Sequence, residues 1–268
     1  MVQKKYNLQP MQSILLEIKN NVATITLNRP DKFNSFNREM AFLFQNILDE
    51  CAANEEVRCI LLTGAGKAFC AGQDIAELTG ENAIGIDKIL SEHYNPIVTR
   101  IRALKKPVVC AVNGVAAGAG ANIALCCDVV LAASSAYFIQ AFSKIGLIPD
   151  SAGTYFLPRL IGFAKASALM MTGDKVTSTE AEKMGMIYKV IEDVNFAEQT
   201  FAQALTLAHM PTQGLAFTKE ALNCSFTNTL EEQLQAEDRI QIKAASTSDY
   251  QEGINSFLEK RKPVFTGK

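Results

Sequence analysis

The chain has two histidines, His93 and His209, and seven cysteines in 268 residues, and this scarcity limits the chemistry open to it. A histidine-rich metal site is excluded, and a Ser-His-Asp triad would have only two possible bases, neither of them near a nucleophile-elbow pattern. His209 precedes Met210-Pro211 and reads as a cap or surface residue at a helix end; His93, beside Tyr94-Asn95-Pro96, could line a pocket, but the plainer structural role is preferred. Cys70 has no nearby cation or helix start to lower its pKa and reads as a space filler. An odd cysteine count, the adjacent pair Cys126-Cys127 and no Cys-x-x-Cys spacing argue against a disulfide framework or a zinc site. A reducing, cytoplasmic setting is expected.

Two glycine clusters imitate nucleotide-binding loops without completing them. Gly118-Ala119-Gly120 has Ile123 where a dinucleotide fingerprint needs Gly or Ala, and Gly64-Ala65-Gly66-Lys67 lacks the opening Gly and the closing Ser or Thr of a P-loop. More informative are two small-residue turns, Phe69 to Ile75 and Asn113 to Gly120, each placed after a predicted strand and able to lead into a helix. Small side chains leave backbone N–H groups open. Two such donors, one aided by the positive end of a helix, suit a carbonyl oxygen that becomes negative during reaction. The same residues equally suit close helix-sheet packing. Asp150, in Leu147-Ile148-Pro149-Asp150-Ser151, is both a candidate proton acceptor and a candidate helix N-cap.

The elements that must hold these turns follow from periodicity. Ile14 to Ile18 and Val22 to Leu27, separated by Lys19-Asn20-Asn21, predict a hairpin. Met40, Leu43, Phe44, Ile47, Leu48 and Cys51 share one face of a helix. Cys59 to Gly64, Pro107 to Val112, Asp128 to Ala132 and Ala136 to Ile139 predict strands, whereas Thr79 to Leu90 has weak periodicity and reads as a mobile loop. Up to about residue 192 the pattern is β, β, α with crossovers. Beyond it, Phe196 to Ala208, Leu215 to Leu222, Thr229 to Ala245 and Tyr250 to Lys260 predict helices, the third opening with the capping box Thr229-Leu230-Glu231-Glu232.

Composition narrows the partners. With 26 Lys plus Arg against 28 Asp plus Glu, a formal charge of −2 and 48% hydrophobic residues, the chain can build a sizeable core and has no basic face for nucleic acid. Met1 to Pro10 lacks the apolar run of a secretory signal, and Pro107 to Cys127 is broken by Asn113-Gly114, Gly118, Gly120 and Asn122, so neither export nor a membrane partner is expected.

Taken together, Asn28-Arg29-Pro30, Ala68 to Ile75, Lys106-Pro107-Val108 leading to Ala111-Val112-Asn113-Gly114, Ala117-Gly118-Ala119-Gly120, Cys127-Asp128 and Phe257-Leu258-Glu259-Lys260-Arg261 resemble the crotonase (enoyl-CoA hydratase/isomerase) superfamily, from about residue 13 to the C-terminus. The resemblance implies an α/β fold, a crotonase-like spiral of ββα units with a helical C-terminal region. It implies a core at residues 1–192 with the coenzyme A and active sites, and a helical oligomerisation region at 193–268 forming a homotrimer or dimer of trimers. The implied substrate is an acyl-CoA thioester, coenzyme A entering as part of it, with no separate cofactor and no metal.

Residue by residue, the resemblance assigns the thioester oxygen to the N–H groups of Gln73 and Ala119, the latter in place of the usual Gly. Lys32, Phe33, Ala71, Asp74 and Ile75 match positions around the coenzyme A adenine and pantetheine, and Phe257 and Lys260 match residues that reach it, often from a neighbouring subunit. The two glutamates with which hydratases of this superfamily activate water are matched by Asn122 and Phe142, which exchange no protons. Asp150 is the one carboxylate left at an active-site position, with Phe142, Ile145, Leu147 and Ile148 expected to form an apolar setting that raises its pKa. Isomerisation through an enolate is therefore expected over hydration. Tyr94 to Val98, Asn113 to Ala121, Ala141 to Asp150 and Ser248 to Lys268 resemble the isomerase branch that acts on ring epoxides of aromatic acyl-CoA thioesters. A Δ3-Δ2 isomerase or hydratase of linear enoyl-CoA and a non-catalytic CoA-binding module remain the alternatives.

Overall fold

Asn20 and Asn21, both left-handed with φ of 52° and 63°, reverse the chain between β1 (Ile14–Lys19) and β2 (Val22–Leu27), the conformation that a tight hairpin needs and that Asn tolerates. The computed structural model describes residues 12–79 and 83–268. Met1 to Pro10, read above as unsuited to a secretory signal, lies outside the described residues. No helix among the described residues is long and apolar enough to cross a membrane.

From β2 onward the large sheet is parallel: β3 (Cys59–Gly64), β5 (Val108–Val112), β7 (Val129–Ala133) and β10 (Lys189–Ile191) complete the order β1-β2-β3-β5-β7-β10. A second sheet takes the alternate strands β4 (Ala68–Cys70), β6 (Val115–Ala117), β8 (Tyr137–Ile139) and β9 (Lys175–Thr177), in that order. After the hairpin β1-β2, whose strands both lie in the large sheet, the pairs β3-β4, β5-β6 and β7-β8 each place the first strand in the large sheet and the second in the small one. β4 and β6 were read in the sequence as loop, because three residues are too short to display an alternation.

α1 (Arg38–Ala53) is capped by the Asn37 side chain, which accepts from the Met40 N–H at 3.0 Å, and buries Met40, Ala41, Phe44, Ile47, Leu48 and Cys51. The loop expected over Thr79 to Leu90 is corrected from Ile86 onward: residues 83–85 are irregular, but α2 (Ile86–Lys88) continues through a π-helical stretch, Ile89–Tyr94, into α3 (Asn95–Ala103), while residues 80–82 lie outside the described residues. A π-helical turn spaces its side chains more widely than 3.6 residues, which blurs the helical pattern. α4 (Ala119–Leu125) is buried along its whole length. It is followed by α5 (Gly153–Ile161), α6 (Phe163–Thr172) and α7 (Ser178–Lys183).

The last helices are α8 (Phe196–Ala208), α9 (Thr212–Ser225), α10 (Leu230–Ala245) and α11 (Ser248–Leu258), near the predicted bounds. Thr229 and Glu232 form the expected capping box, and His209 is the C-cap of α8. α8 lies on β2, β3, β5 and β7, so one hydrophobic core runs from the hairpin to this helix.

Candidate active site

The turn after β3 is held by two asparagines from distant parts of the chain. Asn34 Nδ2 donates to the carbonyls of Ala65 and Ala68, and Asn113 Nδ2 to those of Gly66 and Ala68, while Asn113 Oδ1 accepts from the Gly64 N–H. Glycine is required where the backbones meet: a Cβ on Gly114 would stand 2.2 Å from the Lys67 carbonyl oxygen. These contacts fix the entry to β4, whose last residue, Cys70, leads into the first small-residue turn.

That turn reaches the second one directly. Gly72, at φ +91°, is so close to the Ala117–Ala119 backbone that a Cβ on it would lie 3.4 Å from the Ala119 nitrogen. Phe36 brackets the turn, its N–H donating to the Gly72 carbonyl at 2.7 Å and its carbonyl accepting from the Asp74 N–H at 2.8 Å. The N–H groups of Gln73 and Ala119 have no protein acceptor among the described residues. Ala119 is the first residue of α4, where an N–H lacks an intrahelical partner and the helix dipole is positive. A Cβ on Gly120 would meet the Cys70 carbonyl oxygen at 2.3 Å, so α4 is set hard against β4.

Asp150 is tied to the same helix. Asn122, one turn beyond Ala119, donates to the Asp150 carbonyl oxygen at 2.8 Å and accepts from Gln140 Nε2 at 2.8 Å. It is buried and fully occupied in holding this junction, while Phe142 packs over Gly118. Asp150 does not cap α5; the N-cap is Ala152, and the Asp150 carboxylate instead accepts from the Ser151 hydroxyl at 2.8 Å. Burial pushes the Asp150 pKa above the ordinary carboxylate value, against the opposing Ser151 hydrogen bond. The apolar setting predicted for it needs correction: Ile145, Leu147 and Ile148 are exposed, and only Phe142 is buried. Three of the four side chains face outward because the segment turns over a 3-10 helix, Ala141–Ile145, which the sequence pattern did not reveal.

Two residues absent from the sequence-based set belong here. Tyr94, fully buried at 0% exposure, donates its hydroxyl to Gln73 Oε1 at 3.0 Å, and Gln73 Nε2 donates to Glu77 Oε2 at 2.9 Å. Burial first, then the charges of Cys70, Asp150 and Glu77, push the Tyr94 pKa up. The π-helical stretch ending at Tyr94 is a type of distortion common at functional sites. Cys70 is buried, with its thiol pushed up to about 12 by burial, and His93 is buried edge-on against Phe42.

The remaining candidates divide in two. Phe33, Ala71 and Asp74 come together around the first turn: the Ala71 N–H donates to the Phe33 carbonyl at 2.9 Å, and Asp74 pairs with Arg29 at 2.8 Å. Although burial pushes the Asp74 pKa up, Arg29 and the Ala76 N–H hold it below the usual carboxylate value, with Lys32 adding its charge. Lys32, Phe33, Ala71 and Ile75 present exposed surface beside this turn. Phe257, 83% exposed, instead lines a groove of about 530 Å³ with Tyr250, Ile254, Leu258 and Phe265, and Lys260 follows α11. That groove includes none of the other candidates.

The pattern of alternate strands feeding two sheets, with two glycine turns meeting at a helix start, finds its counterpart in known proteins. A family model described as enoyl-CoA hydratase/isomerase matches residues 17–268. A 1,2-epoxyphenylacetyl-CoA isomerase of Escherichia coli (strain K12) is 47% identical over 262 residues, covering 96% of this chain and 100% of that protein. A trans-2-decenoyl-acyl-carrier-protein isomerase of Streptococcus mutans is 34% identical, covering 96% and 99%. Among solved structures, an enoyl-CoA hydratase from Bacillus anthracis superposes with a TM-score of 0.89 at 32% identity, over 96% of this chain and 100% of that one. The chain belongs to the enoyl-CoA hydratase/isomerase family, has the crotonase fold expected from its sequence, and is an enzyme of that family.

Proposed function

We propose that the protein is an acyl-CoA isomerase that converts 1,2-epoxyphenylacetyl-CoA to the seven-membered oxepin-CoA, as a step of phenylacetate catabolism. The observation that carries this reading is the solitary carboxylate of Asp150, tied through Asn122 to the helix that begins with the Ala119 amide. The positions from which family hydratases activate water are filled by Asn122, which is spent on structural hydrogen bonds, and by Phe142. The 47% identity to an isomerase named for this substrate supports it further.

In this mechanism the thioester oxygen accepts from the Gln73 and Ala119 N–H groups, which stabilise the enolate. Asp150 removes a proton from the carbon between ring and thioester. The carbon–carbon bond bearing the epoxide opens to expand the ring, and the proton is returned to a ring carbon, so substrate and product contain the same atoms. A raised Asp150 pKa makes its carboxylate a stronger base. Coenzyme A runs past Lys32, Phe33, Ala71 and Ile75. Asp74 contributes by position, its carboxylate being engaged by Arg29. Phe257 and Lys260 reach the coenzyme from a neighbouring subunit of a homotrimer or dimer of trimers.

The test compares wild type and Asp150→Asn on 1,2-epoxyphenylacetyl-CoA and on a linear 3-enoyl-CoA, with products identified by mass and ultraviolet spectra. Conversion of the epoxide should be preferred by wild type and fall by roughly 10²- to 10⁴-fold in the variant, with thioester binding retained. Hydration of a 2-enoyl-CoA faster than either isomerisation would overturn the assignment.

A further inference from the structure

Gln73 is assigned a role through its backbone, yet its side chain is held at both ends, by Glu77 and by Tyr94. Glu77 Oε1 accepts from the Arg38 N–H at 2.8 Å, at the first residue of α1, and its Oε2 accepts from Gln73 Nε2. An ionised carboxylate can only accept, so the Gln73 amide must turn its NH₂ toward Glu77 and its oxygen toward Tyr94. The phenol must then donate. The whole chain of hydrogen bonds, from the α1 N-terminus through Glu77 and Gln73 to Tyr94, has a single direction.

Tyr94 also holds the turn from its other side. Its ring packs edge-on against Phe36 at 6.0 Å, and Phe36 in turn packs against Phe44 of α1 at 5.9 Å. Phe36 is the residue whose backbone brackets Gly72 and Asp74. One buried side chain therefore braces the Gly72-Gln73-Asp74 backbone through Phe36 and the Gln73 side chain through its hydroxyl. Because that hydroxyl is committed to Gln73, its proton is not offered to Asp150, whose carboxylate keeps the Ser151 hydroxyl as its side-chain partner.

We propose that Tyr94 is a positioning residue for the reaction: its hydrogen bond to Gln73 Oε1 holds residue 73 so that the backbone N–H stays aimed at the thioester oxygen. This rests on the function proposed above. Binding of the coenzyme does not depend on that aim, but stabilisation of the enolate does, so loss of the contact falls on kcat and spares KM.

The experiment measures kcat and KM on 1,2-epoxyphenylacetyl-CoA for Tyr94→Phe, Gln73→Ala, the double variant and Asp150→Asn. It also records the thioester carbonyl stretch of bound phenylacetyl-CoA, an unreactive probe of the same oxygen. Tyr94→Phe should lower kcat about tenfold with KM nearly unchanged. The double variant should be no worse than Gln73→Ala, which already lacks the Tyr94 hydrogen bond along with the one to Glu77. The carbonyl band should shift less from its free position in Tyr94→Phe than in wild type. Unchanged kcat, penalties that multiply in the double variant, or an unmoved band would overturn the proposal. Should Tyr94→Phe not fold, the band in Gln73→Ala decides by the same criterion. If Asp150→Asn retains full isomerisation, the function itself fails; if it is inactive while Tyr94→Phe is fully active, the role of Tyr94 alone fails.

Discussion

The six-stranded and four-stranded sheets are woven from alternate strands of one chain, yet they differ in how their residues are used. In the large sheet β3 and β5 are six and five residues long and bury Cys59, Ile60, Leu61, Leu62 and all of Val108 to Val112. Their side chains make the core. In the small sheet β4, β6 and β8 have three residues each, and the adjoining turns are shaped by backbone approaches at Gly72, Gly114 and Gly120. The amides of Gln73 and Ala119 emerge there. Apolar area is spent in one sheet on stability, whereas the turns adjoining the other give up side-chain volume, which leaves the Gln73 and Ala119 N–H groups open.

This division can be broken experimentally. The largest effect should come from Asp150→Asn, with the roughly 10²- to 10⁴-fold loss of turnover given above and no loss of thermal stability. The sign follows from burial: a carboxylate whose pKa is raised in the folded chain is harder to ionise there than in the unfolded chain. Its contribution therefore turns against folding as pH climbs through the folded pKa and is relieved below it. Removing the charge consequently should not lower the melting temperature at neutral pH. The same shift puts the acidic limb of the kcat/KM profile, read on the epoxide substrate, above the ordinary aspartate range.

Leu62→Ala, in the core of β3, should do the reverse. It should cost about 2–5 kcal/mol in denaturant unfolding while the folded fraction keeps its kcat. A specific activity that collapsed together with stability would show that the sheets are not separable in this way. Asn122→Ala belongs to both regions. It takes the Asn122 donor from the Asp150 carbonyl, which keeps only the Gly153 N–H, and leaves the Gln140 amide without its partner, costing about 1–3 kcal/mol in unfolding, and it should lower kcat because Asp150 loses its tether to α4. Thr229→Ala, which removes the α10 capping box far from either sheet, should cost about 1 kcal/mol and leave kinetics unchanged.

Legibility in the sequence followed the same division. The hairpin, α1, β3, β5 and β7 of the large sheet and the C-terminal helices could be read because each presents an apolar run, a repeating apolar pattern or a cap, as Thr229-Glu232 does for α10, whereas the three-residue β10 could not. Of the small sheet only β8 was legible, within Ala136 to Ile139; β4, β6 and β9 escaped, three residues being too few to show an alternation. Of the site, the two small-residue turns and Asp150 were visible as residue types at suggestive places. Tyr94 and Glu77 were not, because Tyr94 sits at the end of a π-helical stretch and both act on Gln73 across turns of chain whose pairing no local spacing announces.

By itself, the order of residues determined the alternation of strands and helices and placed an Asp at 150 and no carboxylate at 122 or 142, positions that only the family resemblance singles out. Only the tertiary structure decided that Gly72 meets Ala119, that Asn122 anchors Asp150, and that Tyr94 commits its proton to Gln73. The physical reason is range. Periodicity and capping are local consequences of backbone geometry, whereas the direction of a hydrogen bond and the burial of a charge depend on residues that only folding brings together.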